Sequence, residues 1–188
     1  LAALMPGDIV TNSFTLDCAE RIITITGPNQ GGKTTFARAF GQLFYLASLG
    51  LCVPGRRGAL FLPDHILTHF ASEEDLSKQD GKLQDDLVRL HGLLTSATSR
   101  SVVIINEIFS STMLTDALSL SRRMMDALAA LDVHGVIVTF LDELAQHGNE
   151  TVSMMSTVAE DAPERRTFRI IRKPPDGLAY AMYIAMKH

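Results

Sequence analysis

Apolar and polar segments alternate along this chain in a way that predicts strands and helices in turn. Three short runs rich in β-branched and other apolar residues predict buried strands, namely Arg21–Thr26, Ser101–Asn106 and Gly135–Phe140, and the second of them is apolar on both faces. Three longer stretches combine helix formers with apolar residues at helical spacing, namely Thr34–Leu49, Lys82–Ser96 and Thr115–Leu131. Buried strands that alternate with helices are typical of an α/β fold with a doubly wound parallel sheet.

Weaker patterns predict further elements along the chain. Leu1–Asp17 predicts short strands, and Thr151–Val158 with Arg166–Ile171 predicts an antiparallel hairpin. The remaining predictions are strands at Leu51–Pro54, Ala59–Leu62 and His65–Ala71, a polar loop at Ser72–Gly81, and helices at Leu141–Gln146 and Leu178–His188. We therefore expect a mainly parallel sheet flanked by helices in one domain spanning residues 1–188, with antiparallel strands added at the N-terminus and near the C-terminus.

A phosphate-binding motif lies between the first buried strand and the first helix. Gly27, Gly32, Lys33 and Thr34 fit the pattern G-x-x-x-x-G-K-[ST]. Glycines let the backbone curl so that several N–H groups point at one anion, and the helix N-terminus adds its positive dipole end. Lys33 would bring charge to the outer phosphates, and the Thr34 hydroxyl can ligate Mg²⁺. The strand–turn–helix context favours a phosphate loop over a chance glycine-rich turn.

The second buried strand ends in Asn106-Glu107, where an ATPase usually carries Asp-Glu. Glu107 can orient or deprotonate an attacking water, while Asn106 offers an amide oxygen to a Mg²⁺-bound water without the charge of an Asp. Two alternatives remain open at this stage. Glu107 would then only cap the next segment, and Asn106 would only buttress Thr34 and a water.

Composition limits the classes of function. The chain has 188 residues, of which 46% are hydrophobic and 20% charged, and its net charge is −4. An acidic domain is poorly suited to grip DNA phosphates over its whole surface. Cys18 and Cys52 form no CxxC motif and predict buried free thiols of a cytoplasmic protein. No apolar run reaches membrane-spanning length, so no membrane partner is expected. A first residue other than Met suggests a C-terminal fragment of a longer protein.

These motifs resemble the ATPase domain of the MutS family of DNA mismatch-repair proteins over nearly the whole chain. Residues 26–35 resemble that family's T-G-P-N-M-G-G-K-S-T, and residues 50–54 resemble its G-x-x-V-P. Further matches are Glu74-Asp75-Leu76 with the D-D-L that opens the signature loop, residues 106–112 with D-E-x-G-R-G-T, Glu143-Leu144 with its E-L, and residues 177–181 with its late S-Y-G stretch. The double glycine and the Pro-Asn pair distinguish this loop from a generic phosphate loop.

The resemblance implies a P-loop NTPase of the ABC type that binds ATP or ADP with Mg²⁺. It implies head-to-head pairing with a second copy of the domain, and DNA contact through other domains of the parent chain, so that the protein would be DNA-associated in the cytoplasm. The residues that it assigns to the nucleotide are Gly27, Pro28, Asn29, Gln30, Gly31, Gly32, Lys33, Thr34 and Thr35, with Leu4 and Met5 near the adenine. Lys33 and Glu107 would act in catalysis, and Thr34 and Asn106 would support the metal.

Four positions depart from the family's pattern, and all of them concern the γ-phosphate. Asn106 replaces the Asp, Gly81 aligns with the serine that reaches across to the partner's nucleotide, Ser110 replaces the arginine, and Phe140 replaces the switch histidine. Each lost charge-assisted hydrogen bond is worth about 1.5–3 kcal/mol. We therefore expect nucleotide binding with slow or conditional hydrolysis.

Three hypotheses of function remain at this point. The first is a MutS-like ATPase engine, and the second is a nucleotide-gated structural switch with little hydrolysis. The third, a small-molecule or nucleoside kinase, is disfavoured because the signature-loop and late-strand matches have no place in a kinase. A basic cluster near the C-terminus (Arg165, Arg166, Arg169, Arg172 and Lys173) favours a solvated strand face over a DNA contact.

Overall fold

Six strands form one sheet in the computed structural model, which describes residues 9–70, 81–159 and 162–177. The strands are β1 (Ile22–Thr26), β2 (Ile66–Phe70), β3 (Val102–Asn106), β4 (His134–Val138), β5 (Thr151–Ala159) and β6 (Ala162–Arg172). The helices are α1 (Lys33–Ser48), α2 (Lys82–Ser96) and α3 (Leu114–Ala130), and a short 3₁₀ helix covers Asp142–Gln146. The sheet order is β2-β3-β4-β1-β5-β6. All neighbouring strands are parallel except β5 and β6, which are antiparallel.

The helices cover both faces of this sheet and create two apolar cores. One core packs α1, through Phe36, Phe40 and Phe44, against side chains of β1, β3 and β4. The other packs α2 and α3 against the opposite face of the same strands. Because both faces are covered, every residue of β1 and β3 is buried, including Thr24 and Thr26, which explains why neither strand carries a charged residue. The carboxyl ends of β1, β3 and β4 therefore meet at one edge, where a doubly wound sheet binds its ligand.

The structure confirms the predicted fold class, an α/β P-loop architecture with a mainly parallel sheet. Helix α2 has the predicted bounds, and α1 and α3 begin one residue earlier than predicted and end one residue earlier. Strand β4 ends at Val138 rather than Phe140. The reason is local, because the Leu141 amide donates to Thr139 Oγ1 at 3.0 Å and turns the chain towards the 3₁₀ helix.

The predicted antiparallel hairpin is present and longer than expected. Its two strands, β5 and β6, pair from Met154–Arg172 to Ala159–Ala162. Strand β5 also pairs in parallel with β1, which joins the hairpin to the main sheet. The antiparallel addition near the C-terminus is therefore one strand, β6, at the edge of the described sheet.

The antiparallel strands expected at the N-terminus are not found in the described part of that segment, residues 9–21. There, the Asn12 side chain, rather than backbone hydrogen bonds between two strands, joins the segment to β6. The Asn12 amide nitrogen donates to Phe168 O at 3.0 Å, and Asn12 Oδ1 accepts from the Ile170 amide at 2.7 Å. One side chain thus satisfies two backbone groups on the edge of β6 without a strand.

Two other predicted strands, Leu51–Pro54 and Ala59–Leu62, are wrong. These residues are irregular. Leu60 and Phe61 pack against the α1 core without joining the sheet, and the Phe61 ring lies 5.3 Å from Phe44 and 4.7 Å from His134, centroid to centroid. Leu51 and Leu62 are more than half exposed. The segments predicted at 72–80 and 178–188 lie outside the described residues.

The two cysteines are free, as predicted, but both are exposed rather than buried. Cys18 has a φ of 50° in the turn before β1, and Cys52 lies in the irregular segment after α1. Apolar neighbours in the sequence therefore did not indicate burial at these two positions. The methionine pairs at 124–125 and 154–155 are buried, as a core position requires.

Candidate functional site

The phosphate loop lies at the carboxyl end of β1 and leads into α1. Three of its residues have positive φ values, 104° at Gly27, 61° at Gln30 and 90° at Gly32. The Gly31 amide closes a turn by donating to Pro28 O at 3.3 Å. Among the described residues, no side chain caps the N-terminus of α1. The first N–H groups of a helix have no partner within it, so these are available to an anion held by the loop.

Two glycines of the loop are required by a neighbouring strand. A Cβ on Gly27 would lie 2.7 Å from Ser156 O, and a Cβ on Gly31 would lie 2.6 Å from Ser156 Oγ. Ser156 is fully buried on β5, and its hydroxyl donates to Pro28 O at 3.5 Å. The side of the loop that faces β5 is therefore in direct contact with the sheet. This contact supports the phosphate loop from the side of β5.

Lys33 is folded into the loop and is only 5% exposed. Its Nζ donates to Gly27 O at 2.7 Å, to Pro28 O at 3.0 Å and to Asn29 Oδ1 at 3.3 Å. Burial is the main cause of the lowered pKa of Lys33; the charge of Glu107 opposes it, and the charge of Arg166 lowers the pKa further. The loop thus holds a desolvated cation that an anion would stabilise.

Thr34, at the start of α1, and Asn106, at the end of β3, are in direct contact. Thr34 Oγ1 donates to Asn106 Oδ1 at 2.8 Å, and Asn106 is 8% exposed. Both groups are oxygen ligands of the kind that Mg²⁺ prefers, and Mg²⁺ takes only one or two protein ligands beside water and phosphate oxygens. The two residues therefore fit a magnesium–nucleotide complex, with an amide in place of a carboxylate.

Glu107 follows β3 with a φ of 52°, a backbone conformation that non-glycine residues rarely adopt. Its amide donates to Val138 O at 2.9 Å, which fixes this turn against the end of β4. The charge of Glu107 raises the pKa of Lys33, against the larger effect of burial. Backbone strain of this kind concentrates at functional sites.

The structure also places the residues that depart from the resemblance. Phe109 is fully buried and has a φ of 60°, while Ser110 beside it is exposed. Phe140 is 48% exposed after the end of β4. A Cβ added to Gly81 would meet no heavy atom of the described residues within 4 Å. Ser110 and Phe140 are thus accessible to solvent, and the space around Gly81 is open.

Leu4 and Met5, expected near the adenine, lie outside the described residues, as do Glu74–Leu76 of the signature loop. Two residues that the sequence did not single out for the nucleotide lie beside the loop. Arg166 on β6 donates from Nε to Asn29 O at 3.0 Å. Phe168, with a φ of 58°, comes within 3.8 Å of a Cβ built on Gly32. No local signal marks them, because the contact depends on the pairing of β5 with β6.

Comparison with known proteins agrees with this geometry. Residues 23–185 match the sequence profile of MutS domain V, which is the ATPase domain of that family. The chain belongs to the MutS family. It is also 33% identical over 182 residues, 96% of its length, to the Endonuclease MutS2 of Thermus thermophilus. The chain spans about a quarter of that relative, 24% of its length.

Membership of the MutS family places the contacts above in the family's ATPase domain. The basic cluster near the C-terminus is not a uniformly solvated face, because Arg166 contacts the loop and Arg172 pairs with Glu20 at 2.7 Å.

None of the helices within residues 9–70, 81–159 and 162–177 is both long and apolar enough to cross a membrane.

The contact between Ser156 and the loop yields a steric prediction. Gly31→Ala places a Cβ 2.6 Å from Ser156 Oγ and 2.9 Å from Ser156 Cβ, so the loop must shift. Overpacking of this kind costs about 1–3 kcal/mol, and we expect ADP affinity to fall roughly tenfold in a calorimetric titration. Adding Ser156→Gly removes both clashing atoms and should recover part of the loss. Gly58→Ala, whose Cβ meets nothing within 4 Å, is the control; wild-type affinity in Gly31→Ala would contradict the steric account.

Proposed function

We propose that this domain binds ATP or ADP with Mg²⁺ and serves as the ATPase unit of a MutS-like protein of DNA mismatch repair or recombination. The observation that carries the proposal is the buried ammonium of Lys33 inside an intact phosphate loop. A desolvated cation at an uncapped helix N-terminus is a site for a phosphate chain. The loop residues 27–35 would hold the phosphates, and the adenine would lie near Leu4 and Met5.

Magnesium would be held between Thr34, Asn106 and the phosphates, with water completing its shell. Bound there, Mg²⁺ would neutralise charge that develops on the phosphate oxygens. Lys33 would stabilise the same charge, and Glu107 would orient the attacking water or accept its proton. These assignments give hydrolysis of ATP to ADP and phosphate as the reaction.

We expect this hydrolysis to be slow. Asn106 contributes no negative charge beside Thr34, and Phe140 presents a half-exposed apolar ring at the position of the switch histidine. Ser110 and Gly81 likewise lack the arginine and the serine of the family's pattern. The same observations favour a second candidate, a nucleotide-gated switch that closes on ATP and rarely turns over.

Pairing with a second copy of the domain would complete the site. In this proposal two domains face each other head to head, and each covers the partner's nucleotide with its signature loop. The nucleotide state would then pass to other domains of the parent chain, which would bind DNA in the cytoplasm. The relative from Thermus thermophilus is named an endonuclease, and by analogy the parent chain would cleave nucleic acid.

Calorimetric titration of the domain with ADP, with and without Mg²⁺, tests the proposal most directly. We expect one nucleotide per domain, with tighter binding in the presence of Mg²⁺ because the metal joins the phosphates to Thr34 and Asn106. AMP, which lacks the outer phosphates that Lys33 would contact, should bind much more weakly. Equal affinity for AMP and ADP, or no binding of either, would reject a phosphate-loop function.

A further inference from the structure

The hairpin of β5 and β6 extends beyond the end of the strand that carries the loop. Strand β1 ends at Thr26, which is level with Met155 on β5. Strand β5 continues to Ala159 and pairs there with β6, with Val158 opposite Arg166. The extension therefore forms a two-stranded ribbon beside the phosphate loop. Ser156, at the base of this ribbon, touches the loop from one side.

Arg166 reaches from the ribbon to the loop. Its half-buried side chain donates from Nε to Asn29 O at 3.0 Å. Asn29 is also a partner of Lys33, whose Nζ lies 3.3 Å from Asn29 Oδ1. One loop residue thus contacts two cations, one through its backbone and one through its side chain. A guanidinium has four N–H donors besides Nε, arranged in a fixed plane that suits phosphate oxygens.

The electrostatics of the two cations point to an anion between or beside them. The charge of Arg166 lowers the pKa of Lys33, so the two groups repel each other in the free protein. Among the described residues, the carboxylate of Glu107 opposes this effect on Lys33. A polyanion bound beside the loop would interact favourably with both cations, since Asn29 contacts each of them.

We propose that Arg166 is a second phosphate-binding cation of this site, acting on the outer phosphates of the bound nucleotide from the same chain. This inference rests on the proposed nucleotide-binding function and names a residue that the phosphate-loop motif does not contain. It would supply a positive charge to a chain that has Ser110 instead of the arginine of the family's pattern, but from a different element, β6. An arginine supplied from the same chain is a known device for stabilising phosphoryl-transfer charge.

A structural brace is the competing interpretation, in which Arg166 only holds the Asn29 carbonyl and never meets the ligand. Both interpretations predict weaker nucleotide binding when the side chain is removed. They differ on charge, because a brace needs one hydrogen bond whereas a phosphate ligand needs the cation. They also differ in whether the guanidinium itself contacts the phosphates of the ligand.

The test combines affinity with a direct signal from Arg166. We expect Arg166→Gln to weaken ADP and ATP binding about tenfold while weak adenosine binding is unchanged, and Arg166→Lys to recover part of the loss. Arg169→Gln removes the same charge from the same strand and should change little. In ¹H–¹⁵N NMR spectra, the Nε–Hε resonance of Arg166, assigned by its loss in Arg166→Gln, should shift on addition of inorganic tripolyphosphate but not of adenosine.

Several outcomes would overturn the inference. An Nε–Hε resonance that does not respond to tripolyphosphate, or equal losses for adenosine and ADP in Arg166→Gln, would leave Arg166 as a brace. Affinity in Arg166→Lys no better than in Arg166→Gln would also contradict a role for the charge. If the wild-type domain binds tripolyphosphate with the shift at Arg166 but no nucleotide, the proposed function fails while the assignment of Arg166 as a phosphate-binding cation stands.

Discussion

Lys33→Met is expected to reduce affinity for ADP and ATP about a hundredfold or more. In the nucleotide complex we expect the ammonium to exchange its bonds to Gly27 O and Pro28 O for bonds to phosphate oxygens. A charge-assisted hydrogen bond is worth about 1.5–3 kcal/mol, so two such bonds account for this factor. Methionine keeps the length of the side chain, so the loop remains filled. Calorimetric titration with each nucleotide in the presence of Mg²⁺ measures the effect.

The stability of the free protein separates lost binding from lost structure. Lys33 is 5% exposed, and burial lowers its pKa, so the charged form costs folding free energy that its loop bonds offset only in part. We therefore expect Lys33→Met to unfold at a temperature no lower than the wild-type protein. Lys173→Met removes the same charge from an exposed position after β6 and should bind nucleotide normally. A Lys33→Met protein that melts normally and still binds ADP tightly would refute the assigned role of the loop.

The sequence predicted the parts of this molecule that depend on local pattern. Helix α2 was delimited to the residue because its leucines repeat at helical spacing, and β1 and β3 were found because buried strands are rich in β-branched residues and carry no charge. The phosphate loop was recognised because its glycines and Lys33 occupy fixed spacings. In each case the information lies within about fifteen adjacent residues.

Features that depend on pairing between distant residues were not predictable in the same way. Ser156 is 125 positions or more from the glycines that it contacts, and Arg166 meets Asn29 only because β6 folds back along β5. The N-terminal segment pairs with β6 through the Asn12 side chain, which no strand pattern describes. Leu60 and Phe61 pack against the α1 core from outside the sheet, and the apolar composition of residues 51–62 is also compatible with a strand.

The acidic pair Asn106-Glu107 combines a local sequence pattern with a contact between distant residues. The position of Asn106-Glu107 at the end of β3 followed from the pattern of the strand, but the bond from Thr34 to Asn106 is a contact across 72 residues. That bond supports the view that Asn106 positions Thr34, and it is compatible with metal support as well, since an amide oxygen has two lone pairs. Whether the domain acts as an ATPase engine or as a nucleotide-gated switch therefore depends on Glu107.

Glu107→Gln is expected to lower the ATP hydrolysis rate of the domain by a factor of about 10²–10⁴, the range for loss of a general base. Glutamine keeps the size of the side chain and can still donate to a water, but it cannot accept a proton. Because Glu107 raises the pKa of Lys33, its removal takes a negative charge from the neighbourhood of the phosphates. We therefore expect ATP affinity to stay the same or rise. Phosphate release at saturating ATP, together with calorimetric affinities, measures both effects.

Glu143→Gln provides the control, since it makes the same change on an exposed residue of the 3₁₀ helix and should hydrolyse ATP at the wild-type rate. The comparison also separates the two proposed functions when made in the full-length protein. An ATPase engine should lose its DNA-repair or recombination activity in Glu107→Gln, because its cycle requires turnover. A nucleotide-gated switch should keep that activity and lose it only in Lys33→Met, because binding alone closes the domain. Unchanged hydrolysis in Glu107→Gln would show that another residue activates the water.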